Sequence, residues 1–100
     1  MNAITKVSEI QATDVAEYIR IDEVTADDTK FLTTLISVAK DFIEKYTGRS
    51  EEELDSFEDF IIVVFILCQD MYDNRTMYVD KSNLNKVVET ILGLHQVNLL

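Results

Sequence analysis

The side chains best suited to chemistry in this chain are carboxylates, which form two clusters on either side of a long amphipathic segment. The first cluster contains Asp22, Glu23, Asp27 and Asp28, and the second contains Glu51, Glu52, Glu53, Asp55, Glu58 and Asp59. Hard cations such as calcium take several carboxylates, but the second cluster lacks the spacing and the glycine of an EF-hand loop. We therefore interpret the second cluster as a solvated acidic connector, and the first as a loop with capping charges at a helix start.

Nucleophilic catalysis would require a cysteine or serine beside a base. Cys68 lies within an apolar run, where a thiol is usually inert packing, and the only histidine, His95, lies near the end of the sequence. There is no glycine-rich phosphate loop, and no pair of histidines or cysteines is spaced to hold a metal. We predict that the chain is not an enzyme, with no catalytic, cofactor-binding or metal-binding residues.

The formal net charge of −10 restricts the partners of the chain. So acidic a surface repels phosphate, which argues against sequence-specific nucleic-acid binding and against docking on anionic lipid. An acidic surface is, however, compatible with the wall of a conduit for nucleic acid, where repulsion prevents sticking.

A single cysteine excludes a disulfide framework within the chain and fits a reducing compartment. The first ten residues lack the basic start and apolar run of a signal peptide. The longest apolar run, residues 60–68, is far shorter than the ~20 residues of a membrane span. We expect a soluble protein, made in a cytoplasm, with one domain over residues 1–100.

Proline is absent and glycine occurs only at Gly48 and Gly93, which favours an all-α fold. The clearest helix follows Thr25, a predicted N-cap with Asp28 at the third position, and ends at Gly48. Its apolar residues recur at helical spacing: Phe31, Leu32, Leu35, Ile36, Ala39, Phe42, Ile43 and Tyr46.

Three further helices complete the predicted fold, a small bundle of about four helices with extended N- and C-terminal segments. The predicted bounds are Thr13 to about Arg20, Ser56 to about Asn74, and Asp80 or Ser82 to Gly93. Residues 61–67 are β-branched enough to form a buried strand, but a cap precedes them and the helical stripe continues through Met71 and Tyr72. The apolar surplus of this helix has two interpretations, a central packed helix or a face left for a neighbouring subunit.

Two regions are candidates for contacts with other chains. Arg75, which follows Tyr72 at the end of the third helix, can complement the helix C-terminus and pair with a nearby carboxylate such as Asp73, or bridge to an acid on a neighbour. The last residues end on two leucines, so we expect this tail to dock on its own domain or on a neighbour. The candidate subunit or partner interface comprises Tyr72, Arg75, Val97, Leu99 and Leu100.

Taken in order, these segments resemble the head–tail connector proteins of tailed bacteriophages, also described as possible DNA-packaging proteins. The resemblance rests on Tyr18-Ile19-Arg20-Ile21, then Phe42-Ile43-Glu44-Lys45-Tyr46-Thr47-Gly48, then Tyr72-Asp73-Asn74-Arg75, and it covers nearly the whole chain. Members often carry a proline before the third helix, where this chain has Ser56.

The resemblance implies a structural virion protein without catalysis or cofactors. Such a protein would form a homo-oligomeric ring at the head–tail interface, dock on the portal protein and on a further head-completion or tail protein, and let the genome pass. It would be made in the bacterial host cytoplasm, from a phage or a prophage. Two other classes remain open: an acidic DNA-mimic inhibitor and a small helical regulatory or scaffold protein.

Overall fold

The computed structural model describes residues 3–97 of the chain. Within that range the chain forms five α-helices and two 3₁₀ turns, and no β-strand. The helices are α1 (Ala12–Ile19), α2 (Ala26–Thr47), α3 (Glu51–Leu54), α4 (Asp59–Asn74) and α5 (Lys86–His95), and the 3₁₀ turns are Val7–Glu9 and Lys81–Asn83. The predicted all-α bundle is confirmed.

The core lies between α2 and α4, the pair of helices with the most extensive contact, while α1 and α5 each pack against both. Residues 61–67 are helical, so the interpretation of this apolar run as a strand is wrong. Tertiary packing outweighs β-propensity here, because α4 buries most of its apolar residues. Its buried side chains are Phe60, Val63, Val64, Phe65, Leu67, Cys68 and Met71.

Both ends of α2 are formed by the predicted capping residues. The Thr25 hydroxyl accepts a hydrogen bond from the Asp28 N–H at 3.1 Å, and the Asp28 carboxylate accepts one from the Thr25 N–H at 3.0 Å. At the other end, Gly48 has φ 76°, a left-handed conformation in which glycine carries no steric penalty. Two local signals thus fix the length of the longest helix.

Replacing Thr25 with alanine should lower the free energy of unfolding by about 1 kcal/mol, because the Asp28 N–H loses its acceptor. Thr25→Ser, which keeps the hydroxyl, is the matched control. The measurement is chemical denaturation followed by far-UV circular dichroism. Equal stability of Thr25→Ala and Thr25→Ser would show that the cap contributes nothing.

Four predicted helix boundaries are wrong. α1 is preceded by Gln11 rather than Thr13, because the Asp14 carboxylate accepts a hydrogen bond from the Gln11 N–H at 2.9 Å. α4 begins at Asp59, since Ser50 caps α3 and consecutive turns carry the chain past Ser56.

α5 begins after Asn85, whose side chain accepts from the Val87 N–H at 2.8 Å, and Asp80 instead caps the preceding 3₁₀ turn. The helix passes Gly93 and ends at His95. The His95 ring packs against Phe57 and Phe60, with ring centroids 4.3 and 5.0 Å away. These contacts hold the last turn in place and outweigh the weak helix preference of glycine.

The segment before α1 is tied to the rest of the bundle by Asp55, which follows α3. Val7 is buried, and the neighbouring Ser8 N–H donates to Asp55 Oδ1 at 2.8 Å. Hydrogen bonding to Ser8, through its side chain and its backbone N–H, lowers the pKa of the Asp55 carboxyl. A carboxyl with a lowered pKa in the folded state stabilises the fold above its usual titration range, and that contribution is lost on acidification.

Asp55→Asn should therefore make the protein less sensitive to acid. Between about pH 6 and about pH 3, the melting temperature of the wild type should fall further than that of Asp55→Asn, because only the wild type loses the ionised acceptor of the Ser8 N–H. Asp22→Asn, at an exposed position before α2, is the control and should follow the wild type. The same pH dependence in wild type and Asp55→Asn would contradict this assignment.

Candidate interaction surfaces

Cys68 and His95, the residues with catalytic potential, both make contacts within the folded bundle. Cys68 is fully buried on α4, and this burial raises the pKa of its thiol to about 12, which keeps it protonated at neutral pH. His95 Nε2 lies 2.8 Å from Asp59 Oδ2, and its ring contacts the rings of Phe57 and Phe60. Both side chains therefore make contacts that belong to the packing of the bundle.

The acidic cluster around α3 serves local structure. Glu53 Oε1 accepts from the Ser50 N–H at 3.0 Å and Glu53 Oε2 accepts from Arg49 Nη1 at 3.2 Å. The backbone N–H of Ser50 is the main cause of the lowered pKa of Glu53. Across residues 3–97, no group of three or more histidine, cysteine or acidic side chains is arranged to hold a metal ion.

Tyr72 and Arg75 lie together at the C-terminal end of α4. The Arg75 guanidinium sits over the Tyr72 ring, 4.6 Å from its centroid, and the Tyr72 ring lies 6.1 Å from that of Phe31 at the start of α2. Arg75 ends the helix with φ 54°. Among the residues that the structure describes, it pairs with no carboxylate, so its contact within the chain is with an aromatic ring rather than with Asp73.

Val97 lies at the opposite end of the α2–α4 pair. Its N–H donates to the Thr47 carbonyl at 2.7 Å, and Gln96 Nε2 donates to the Tyr46 carbonyl at 3.1 Å. Arg49 Nε donates to the His95 carbonyl at 2.6 Å. Residues 95–97, here named the tail anchor, are thus fastened to the C-terminal end of α2.

The structure therefore separates the predicted interface residues into two groups. Tyr72 contacts Phe31 near the start of α2, whereas Val97 bonds to Thr47 at its end, and sixteen residues of helix correspond to ~24 Å. Leu99 and Leu100, the remaining predicted interface residues, lie outside the described residues. Within one subunit, Tyr72 and Val97 belong to different surfaces.

The structure has two further apolar surfaces, of which the sequence analysis anticipated only the second, as a side of the apolar helix left for a neighbouring subunit. The first, here named the α2 groove, lies between α2 and the connector that follows α4, with a volume of about 450 Å³. Its apolar lining is Val38, Phe42, Met77, Tyr78 and Val79. Met77 and Tyr78 are 59% and 64% exposed, high values for such side chains. The sequence pattern that could have indicated this groove is an apolar triplet, residues 77–79, inside an otherwise polar connector.

The second surface, here named the α4 face, is the side of α4 turned away from the core. Ile62 is 37% exposed and Ile66, one turn further on, is half-buried. Asp73 extends the same side toward the end of the helix, and Asp70, at the border of this side, also lines a cavity with Leu67 and Tyr78. Partial burial, together with the negative charge of Asp73, raises the pKa of Asp70. The α4 face therefore combines apolar area with two carboxylates that repel each other.

Among the described residues, no helix combines the length and hydrophobicity required to cross a bilayer. The apolar residues of α4 are instead buried against the other helices on one side only.

Comparison with known proteins identifies a family match. A protein-family model described as "Phage gp6-like head-tail connector protein" matches residues 9–95, well over half of the chain. No curated protein and no solved structure matches the chain.

Proposed function

The chain belongs to the phage gp6-like head-tail connector family, and we propose that copies of it form a closed ring beneath the portal, through which the genome passes. The observation that carries this proposal is the family match, which extends from the turn before α1 to the last residue of α5. As a connector, the chain is a structural component of the virion. Its proposed role is to join head and tail without catalysis.

The distribution of apolar surface supports assembly with other copies or proteins. The α2 groove and the α4 face leave aliphatic and aromatic side chains in contact with water, although the bundle has already buried a core. Tyr78 and Met77 are residue types enriched at protein interfaces. Burial of these surfaces between subunits would remove apolar area from water without disturbing the core.

The charge of the chain is compatible with a passage for DNA. A ring built from copies that each carry a formal charge of −10 would repel the phosphate backbone rather than bind it. Repulsion of this kind lets the genome move past without sticking. The proposed partners are therefore proteins: further copies of the chain, the portal protein, and a head-completion or tail protein.

The test of this proposal is the mass of the purified chain over a wide concentration range, alone and mixed with the portal protein of the same genome. We expect a closed oligomer, or a stable complex with the portal. Bovine serum albumin in place of the portal protein controls for nonspecific association of the acidic chain. A monomer that never binds the portal, under conditions in which the portal itself remains a ring, would overturn the proposal.

A further inference from the structure

A cavity of about 210 Å³, here named the α4–α5 cavity, lies between the second half of α4 and the segment that connects α4 to α5. It is distinct from the α2 groove, although Tyr78 and Val79 line both. Its volume is below the range of pockets for drug-sized ligands, so it suits a small molecule or a single side chain. The apolar part of its lining includes Leu67, Met71, Val79 and Leu84.

Acceptors dominate the polar part of the lining. None of residues 3–97 donates a hydrogen bond to the Asp70 carboxylate or forms a salt bridge with it. Asn74 Nδ2 donates to the Asp70 carbonyl at 2.9 Å, and Asn83 Nδ2 donates to Asp80 Oδ2 at 2.8 Å. These bonds fix the orientation of both amides and leave each Oδ1 as an acceptor. A ligand that fits this lining must therefore bring donors.

The charge of the lining is negative and is not balanced by a cation from the described part of the chain. Asp70 and Asp80 both line the cavity, and no lysine or arginine among residues 3–97 does. Lys81, next to Asp80, lies instead with Nζ 5.8 Å from the centroid of the Tyr46 ring. Burial and the charge of Asp73 raise the pKa of Asp70, a cost to its ionised form that a bound cation would relieve.

From this lining we propose that the α4–α5 cavity binds a primary ammonium group on a short aliphatic chain. The ammonium would lie at Asp70, where its three donors match the acceptors, and the chain would pack against Leu67 and Leu84. Two sources supply this chemistry, a free amine and the lysine side chain of another protein. The inference goes beyond the proposed function, since one subunit would hold the ligand with or without a ring.

Titration of n-butylamine into the isotope-labelled chain at neutral pH, followed by the chemical shifts of the backbone amides, tests the proposal. n-Butanol, which has the same aliphatic chain but no charge, is the control ligand. We expect saturable shifts of the amides of Thr76, Val79 and Leu84, which line the cavity, with n-butylamine and not with n-butanol.

Asp70→Asn separates this site from the general attraction of a cation to an acidic chain. It should raise the dissociation constant about tenfold, because the ammonium loses its charged acceptor. Asp73→Asn removes the same charge on the same helix at a position that does not line the cavity. It should change the dissociation constant by less than about twofold, since exposed charges are screened.

Leu84→Phe narrows the cavity without changing its charge and should also weaken binding, so it decides the matter if Asp70→Asn does not fold by circular dichroism. Nα-acetyl-lysine N-methylamide distinguishes the two sources. If it binds as n-butylamine does, a lysine side chain of a partner enters the cavity. If only n-butylamine binds, the ligand is a free amine.

Four results would overturn the proposal: no saturable shift at the cavity with n-butylamine, the same shifts with n-butanol, equal weakening in Asp70→Asn and Asp73→Asn, or unchanged binding in Leu84→Phe. None of them depends on the oligomeric state of the chain. The wild type would still form a ring or bind the portal if the connector role is correct.

Discussion

Replacing Phe60 with alanine should lower the free energy of unfolding by about 3–5 kcal/mol. Phe60 is fully buried at the start of α4, and its ring lies 5.4 Å from Phe57 and 5.0 Å from His95, between centroids. The substitution would therefore create a cavity where the beginning of α4 meets the end of α5. Small domains have a total stability of about 5–15 kcal/mol, so the variant should be close to unfolding.

Urea denaturation followed by circular dichroism measures this effect. Ile62→Ala is the matched control, since it shortens an apolar side chain on the same helix at a site that is 37% exposed. Ile62→Ala should lower the free energy of unfolding far less, by about 1 kcal/mol. Similar losses for Phe60→Ala and Ile62→Ala would contradict the placement of Phe60 in the core and Ile62 on the outside.

The double substitution Leu99→Asp/Leu100→Asp should weaken assembly more than it weakens folding. These leucines follow the tail anchor, whose Val97 N–H is bonded to Thr47, and the substitution changes no residue of the described core. We expect about a tenfold loss of ring or portal complex, ~1.4 kcal/mol, with a change in unfolding free energy of only about 0.5 kcal/mol.

The same two samples give both measurements: native mass with and without the portal protein, and urea denaturation. Ser82→Asp/Thr90→Asp adds the same negative charge at two exposed polar positions and is the control for electrostatic repulsion. An equal loss of assembly and of folding stability in Leu99→Asp/Leu100→Asp would contradict an assembly role for the two leucines.

Part of the fold could be predicted from the sequence, because capping interactions between neighbouring residues determine it. Thr25, Asp28 and Gly48 fix the ends of α2 because their effects act within one helical turn. The boundaries that were mispredicted depend on partners distant in sequence or on a competing cap. α5 continues through Gly93 because His95 packs on Phe57. Ser56 caps no helix because its backbone N–H is bonded to the Glu53 carbonyl, in the turn that follows α3.

The interaction surfaces were less predictable for a related reason. Apolar periodicity shows which side of a helix is buried, but which outer residues remain exposed depends on how neighbouring elements cover them. Met77 and Tyr78 form a surface only because their connector returns along α2 and meets Val38 and Phe42. In contrast, the motif from Tyr72 to Arg75 was one of those on which the family resemblance rested, and the match over residues 9–95 confirms that resemblance.

The most direct test of the connector role is electron microscopy of particles made by the phage genome that encodes this chain, with its gene deleted and then restored in trans. We predict that without the chain, heads and tails accumulate separately, and that the wild-type chain restores joined particles. Complete, tailed particles in normal numbers without the chain would contradict the account.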